Sequence, residues 1–414
     1  MIKLFLDIQT FLKLTSCVLV VSLTACGKSE KTPEIIFDKA QTAFIPTKLV
    51  QQEDKVFALD SLTNFISLEG KLANINQREV FHFMNYENPS IYFYDYETGQ
   101  RLNTIILKKE GPHMVQIPSI MTDYFVHNMD SVFISTNLLN RALYLVNQGS
   151  EVLFKTGFGH KIGSRNPNIW KEKALHFTDY STYRQGVLTS GIRVAIPEPD
   201  QQNPLRTHFD LATERFENLF LEEAKIVPHY KELQELMRQK QSVNIQKFVV
   251  GNGDTVFASS QISDSIYEFQ KGTFIKAHYA ANPAITTADY KTFNERASIE
   301  SEPGSVNKIT KDQQPPYFLT MFMDVEKKWI YRILLHHTSR KKIPGSDFEP
   351  IIVDEASVIA FNVERKKSYV VDLPKELHLY LTVKGVFANK NGIHFPVKDQ
   401  ELENEKRYNV YQLN

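Results

Sequence analysis

Asp95-Tyr96-Glu97-Thr98-Gly99-Gln100-Arg101-Leu102-Asn103-Thr104-Ile105-Ile106-Leu107 and Asp210-Leu211-Ala212-Thr213-Glu214-Arg215-Phe216-Glu217-Asn218-Leu219-Phe220-Leu221 share one pattern: an Asp, a short polar turn and a β-prone run. Each reads as strand, turn, strand. Weaker copies run from Tyr144 to Phe154, from Tyr267 to Ile275 and from Ala360 to Val371. Another strand precedes each copy. Several of these open on Asp or Gly and then alternate, as in Asp130-Ser131-Val132-Phe133-Ile134, Gly253-Asp254-Thr255-Val256-Phe257-Ala258 and Asn391-Gly392-Ile393-His394-Phe395. Asn252-Gly253 and Asn391-Gly392 are the dipeptides of tight hairpin turns in which both central residues take positive φ.

The repeating unit is therefore a small antiparallel sheet, and it recurs near residues 79–107, 130–157, 187–221, 246–280, 317–373 and 379–413. Small sheets that bury their faces against their neighbours make a β-propeller. The expected fold is all-β, a six-bladed propeller over residues 49–414 with loop and short helical insertions. Lys55-Val56-Phe57-Ala58-Leu59-Asp60 is expected to pair into the last sheet and close the ring. The alternative is a pair of β-sandwiches divided near 281–316, which the propeller reading takes as an inter-blade insertion. A second insertion places Tyr230, Leu233, Leu236 and Met237 on one helical stripe, expected to pack on the ring.

The chain begins with an address. Lys3 and Lys13 precede an apolar run of about a dozen residues, shorter than the roughly 20 that span a bilayer, and small residues end it. Residues 1–25 read as a secretion leader, and 26–48 as a lipidated Cys followed by a polar tether. Leu23-Thr24-Ala25-Cys26 resembles the bacterial lipobox, in which cleavage precedes the Cys and its thiol is acylated. Several acyl chains on one residue suffice for stable anchoring without a membrane span. Gly27 rather than Asp follows the Cys, and by resemblance to sorted lipoproteins this implies the outer membrane. The covalent lipid at Cys26 is the expected membrane contact, with no other cofactor expected.

Composition narrows the function. Lys plus Arg number 48 and Asp plus Glu number 48, so the chain lacks the basic footprint of general nucleic-acid binding. Its two cysteines exclude a disulfide framework and a four-thiolate zinc site. Once Cys17 leaves with the leader and Cys26 is acylated, the body holds no thiol.

The hairpin pattern, the lipobox and Glu110-Gly111-Pro112 together resemble bacterial lipoproteins with TolB-like six-bladed propeller repeats, a domain of unknown function. Related sequences carry Gly-Pro-Gly-Glu at that point, whereas here Gly111-Pro112 runs into His113-Met114. The resemblance implies a fold and a location and no agreed activity.

No catalytic motif is present: no His-Glu-x-x-His helix, phosphate-binding Gly loop, Gly-x-Ser-x-Gly elbow or EF-hand loop. His336 and His337 are adjacent, and strand alternation would send them to opposite faces. Asp95, Asp210 and Asp264 read as turn formers. Tyr92, Tyr94 and Tyr96 share one strand face, where they would either stack on a ligand or pack between blades. Ser61, Ser131, Thr255 and Ser265 each follow an Asp and precede an aliphatic residue, which resembles a bacterial O-glycosylation acceptor and also suits a turn entering a strand. The expected role is a membrane-anchored binding or scaffolding module for a protein, peptide or glycan. The alternative is a lactonase-like hydrolase or lyase with a divalent cation in the channel, whose ligands the sequence does not name.

Overall fold

The computed structural model describes residues 45–61, 63, 69–115, 122–136, 142–157, 181–191, 204–220, 247–252, 254–285, 316–326, 328–340, 351–375, 377, 385–397 and 404–414. Leu23, Thr24, Ala25, Cys26 and the stripe from Tyr230 to Met237 lie outside the described residues.

The described elements are strands. Three precede the first blade: β1 (Ile45–Pro46), β2 (Leu49–Gln51) and β3 (Lys55–Ala58). Blade 1 is β4 (Lys71–Ile75), β5 (Arg78–Asn85), β6 (Ser90–Asp95) and β7 (Arg101–Ile106). Blade 2 is β8 (Thr122–Asn128), β9 (Ser131–Thr136), β10 (Ala142–Val146) and β11 (Val152–Gly157). Blade 3 is β12 (Thr182–Arg184), β13 (Val187–Gly191), β14 (Pro204–Asp210) and β15 (Arg215–Phe220). Blade 4 is β16 (Lys247–Asn252), β17 (Thr255–Ser260), β18 (Ser265–Gln270) and β19 (Thr273–Tyr279). Blade 5 is β20 (Tyr317–Met323), β21 (Trp329–Arg340), β22 (Ile351–Asn362) and β23 (Lys367–Asp372). Blade 6 is β24 (Phe387–Asn389), β25 (Gly392–Pro396) and β26 (Glu405–Leu413).

Six sheets arranged this way are a six-bladed propeller, and two sandwiches are excluded. The first strands of five blades line the inside of the ring: β4 lies beside β8, β24 beside β4, β20 beside β24 and β16 beside β20. The ring closes where the sequence places it, with β3 pairing β26 from Ala58↔Glu405 to Lys55↔Tyr408. β2 pairs the far end of β26, so strands that precede blade 1 supply the outer edge of the last blade. One pairing extends beyond the expected boundary at residue 49: β1 adds in parallel to β23, the outer strand of blade 5.

The core is a set of layers between blades. Ile75, Val80, Ile91 and Phe93 of blade 1 meet Tyr124, Val126, Val132 and Ile134 of blade 2. Aromatic rings close the ring, with Phe81, Phe83, Tyr92, Tyr94 and Tyr96 of blade 1 against Phe57, Phe387 and Tyr408. Blade 1 is thus buried on both faces, which explains why β6 has no exposed position.

Antiparallel order gives the propeller two unlike faces. On one, the turns between first and second and between third and fourth strands hold two to five residues each. Three are two-residue turns with both φ positive: Asn76-Gln77, Gln185-Gly186 and Lys271-Gly272. Asp95 and Asp210 form turns as expected, their carboxylates accepting from the Thr98 and Thr213 N–H groups. Asn391-Gly392 departs from expectation. Lys390 and Asn391 are the turn residues and Gly392 opens β25 at φ 128°, because a Cβ there would lie 2.2 Å from the Tyr411 carbonyl oxygen. At the other face the outer strands of the blades end and the inner strands of the next blades begin, as β7 ends at Ile106 and β8 starts at Thr122. The described links between second and third strands lie there too, 86–89 in blade 1 and 261–264 in blade 4. We call these the turn face and the loop face.

Candidate functional site

The loop face holds a polar cluster where the innermost strands of blades 1 and 2 begin. Lys71 opens β4, and Asp123 and Tyr124 stand at the start of β8. Across the gap the Lys71 ammonium lies 3.4 Å from an Asp123 carboxylate oxygen and 3.4 Å from the Tyr124 carbonyl. It also sits 4.7 Å from the centre of the Tyr124 ring, within cation–π range. Lys71 and Asp123 keep 31% and 27% side-chain exposure. Partly exposed ion pairs of this kind contribute ~0–1 kcal/mol, so an incoming ligand competes with this one at small cost.

Behind the pair the site is rigid. The Tyr124 hydroxyl and His82 Nδ1 are 3.0 Å apart and both side chains are buried. Burial lowers the His82 pKa to about 3, with the Lys71 charge adding in the same direction, so the imidazole is neutral at physiological pH. Burial also pushes the Tyr124 phenol well up. Neither group is tuned to exchange protons near neutrality. Tyr86, on the link between β5 and β6, and Glu69, two residues before β4, complete the cluster. Burial raises the Tyr86 pKa first, and the nearby charges of Glu69 and Asp123 raise it further. The arrangement presents donors, acceptors and an aromatic face, the equipment of a binding site.

The sequence missed this cluster. The expected units began at 79 and 130, one strand late in each of the first two blades, because β4 and β8 both open on polar residues, Lys71 and Thr122-Asp123. The available signal was a charged residue opening the first strand of consecutive units, Lys71 and Asp123.

The tyrosine row has another use. Tyr92, Tyr94 and Tyr96 are 2%, 1% and 2% exposed. Phe83 stacks on Tyr92 and Tyr94, and the Tyr96 hydroxyl lies 2.6 Å from His394 Nε2. Of the two uses the sequence allows, the rings are placed for the second, packed in the cluster that joins blades 6 and 1. The four hydroxyl candidates also part company. Ser61 is exposed; Ser131 and Thr255 are half-buried at the openings of β9 and β17. Ser265 is fully buried, which removes it as a glycan acceptor. His336 is half-buried. Asp264 lies on the loop face between β17 and β18, its carbonyl accepting from Ala280. Among the described residues no group of three or more His, Cys, Asp or Glu is placed to hold a metal ion.

Gly111 takes φ 86° on the loop face, as the partial Gly-Pro motif requires. His113, standing where related sequences have Gly, accepts at Nδ1 from the Val152 N–H at 3.1 Å and so fastens this connection to β11.

The fold is similar to that of a crystallised DUF4221 family member from Bacteroides vulgatus, with a TM-score of 0.63 and 18% identity over 89% of this chain and 99% of that one. A protein from Bacteroides fragilis, described as exported, aligns over 90% of this chain and 97% of that one at 10% identity and a TM-score of 0.48. A scan against protein-family models gives no match, and neither does a search of the curated proteins. The DUF4221 likeness agrees with the propeller fold and speaks to the fold alone.

Proposed function

We propose that the chain is a lipid-anchored outer-membrane lipoprotein whose propeller binds a protein, peptide or glycan through its loop face. The observation that carries the binding role is the asymmetry of the two faces. A propeller needs only short links to hold its blades, and here the turn face has nothing else. At the loop face the connections between blades leave and re-enter the sheets, and they are long, with 37 residues separating β19 from β20. Long connections on a rigid scaffold are where binding residues collect. The Lys71–Asp123 pair opens onto this face.

The anchor rests on Leu23-Thr24-Ala25-Cys26. Cys26→Ala is expected to move the protein from the membrane fraction to the soluble fraction; unchanged membrane association would overturn the anchor. For the binding role, single photo-crosslinking residues at Glu87 and Ala284 on the loop face, and at Asp130 and Lys271 on the turn face, test the assignment in living cells. All four positions are exposed. Adducts are expected from the loop-face positions. Adducts of equal yield from both faces would overturn it.

A further inference from the structure

We infer that the outer edge of blade 5, where β1 lies against β23, is the side on which the propeller rests against an anionic membrane surface. The inference rests on the lipid anchor proposed above and adds which side of the ring meets the lipid.

The chain joins the ring at one place. β1 pairs in parallel with β23, Ile45 opposite Tyr369 and Pro46 opposite Val370. The residues that follow fasten to blade 6: the Asn414 N–H donates to the Lys48 carbonyl at 3.1 Å, the Thr47 hydroxyl donates to the Asn414 carbonyl, and β2 pairs with β26. A pull on the chain before Ile45 is therefore borne at the rim where blades 5 and 6 meet. Eighteen residues separate Cys26 from Ile45, and a chain of that length reaches about 60 Å when fully extended. Four strands about 4.8 Å apart make a blade on the order of 15 Å deep, so the rim of blades 2 and 3 lies on the order of 40 Å across the ring. Bringing that far rim to the membrane would take most of the tether's full length, and chain entropy opposes it.

Charge selects the same side. Around β1 and β23, Lys48, Arg365, Lys367 and Lys375 are exposed, against the exposed carboxylates of Glu364 and Asp372. Lys366 is exposed as well, and Glu268 of blade 4 holds it at 2.9 Å. On the far rim, in β11, β15 and the turns that open them, the exposed Glu151, Glu214 and Glu217 outnumber Lys155 and Arg215. A net positive edge held close to a bilayer is drawn to anionic headgroups within a screening length of about 10 Å at 0.1 M salt. The blade 5 edge has both the tether and the charge. A ring resting on its rim keeps its two faces clear of the bilayer, so the loop face stays open to a partner.

Energy transfer from the full acylated chain to vesicles with acceptor-labelled headgroups tests this. The chain has two cysteines, Cys17 in the leader and Cys26 at the anchor, so one introduced Cys takes a single donor. Val50→Cys, on β2 beside the tether, and Leu153→Cys, on β11 of the far rim, are exposed and leave the charge unchanged. In vesicles of phosphatidylcholine with phosphatidylglycerol, transfer from position 50 is expected to exceed that from 153 about twofold or more, given a separation on the order of 40 Å. The gap should narrow in phosphatidylcholine alone, in high salt, and in the charge reversal Arg365→Glu, Lys367→Glu, Lys375→Glu. A melting temperature shared with the parent would show that this variant folds, and the salt series reads the same contact without it. Equal transfer from both positions, greater transfer from 153, or a gap indifferent to lipid charge and salt would overturn the inference. If the protein floats with the vesicles and the two positions read alike, the blade 5 assignment fails and the anchor stands. Protein that does not float with them overturns the anchor and this inference with it.

Discussion

The turn face and the loop face are built from the same strands, yet their residues do different work. On the turn face, polar side chains are consumed by the fold: Asp95 accepts from Thr98 and pairs with Arg78, Asn362 accepts from Arg365, and Asn389 donates to Glu79 of the neighbouring blade at 2.8 Å. On the loop face, Lys71 and Asp123 meet at the long end of a hydrogen bond and stay partly open to water. The Asp95, Asn362 and Asn389 contacts hold turns and neighbouring blades together, whereas the Lys71–Asp123 contact is long and partly solvated. Substitutions on the turn face should therefore cost stability, and those on the loop face should cost binding.

The largest effect is expected at Gly392. A Cβ there would stand 2.2 Å from the Tyr411 carbonyl oxygen and 2.8 Å from its carbon, at φ 128°. Gly392→Ala should destabilise by about 3 kcal/mol or more, read as a fall in melting temperature or as failure to fold. Gly111 on the loop face makes the paired control. Its φ is 86° and nothing lies within 4 Å of the place a Cβ would take, so Gly111→Ala should cost only about 1 kcal/mol. Equal costs at the two glycines would break the comparison.

Acid should strain the joints behind both faces. His82 supports the loop face, and His394, bonded to Tyr96, supports the closing joint near the turn face. Burial holds both imidazoles at about 3, against 6.5 for an unperturbed histidine. Their folded pKa values are depressed, so the unfolded chain takes up these protons first as pH falls. Their contribution is fully present above pH 6.5 and declines from there toward pH 3, at about 1.4 kcal/mol per pH unit for each histidine. Denaturant midpoints measured from pH 7.5 to 5 should fall, and His82→Gln and His394→Gln should each flatten the slope.

A smaller loss is expected for Asp95→Ala, about 1–2 kcal/mol, from the turn N–H and the Arg78 partner it leaves behind. Hydrogen bonds from Thr98 and the Arg78 guanidinium hold the Asp95 pKa down against the opposing effect of burial. The smallest change in stability belongs to Lys71→Met, within about 0.5 kcal/mol by chemical denaturation, since the pair it removes is long and solvated. A loss at Lys71 as large as that at Asp95 would show that the cluster holds the fold.

The hairpins were legible in the sequence for a local reason. Asp95 and Asp210 sit at turns their own side chains form, between runs with an outer strand half open to water. Ring closure by Lys55–Ala58 was legible because an unpaired β run preceded the first unit. The inner strands were not. β4 and β8 send their side chains to two neighbouring blades instead of to core and solvent, so polar and apolar residues do not alternate cleanly along them. The tyrosine row was legible as a shared face, with its use left open for the same reason. A strand face that looks free in isolation is buried once its neighbours arrive, Phe83 from the adjoining strand β5 and His394 from blade 6. The parallel pairing of β1 with β23 joins residues more than 300 positions apart and leaves no local trace.

Hydrogen–deuterium exchange of the full chain in native outer-membrane vesicles, set against the same protein purified in detergent, tests the division of the two faces most directly. The expected result is added protection in the vesicles along the loop-face connections, above all 59–70 and 107–121, with the turns at 76–77, 271–272 and 390–391 unchanged. Protection confined to those turns, or spread evenly over both faces, would contradict it.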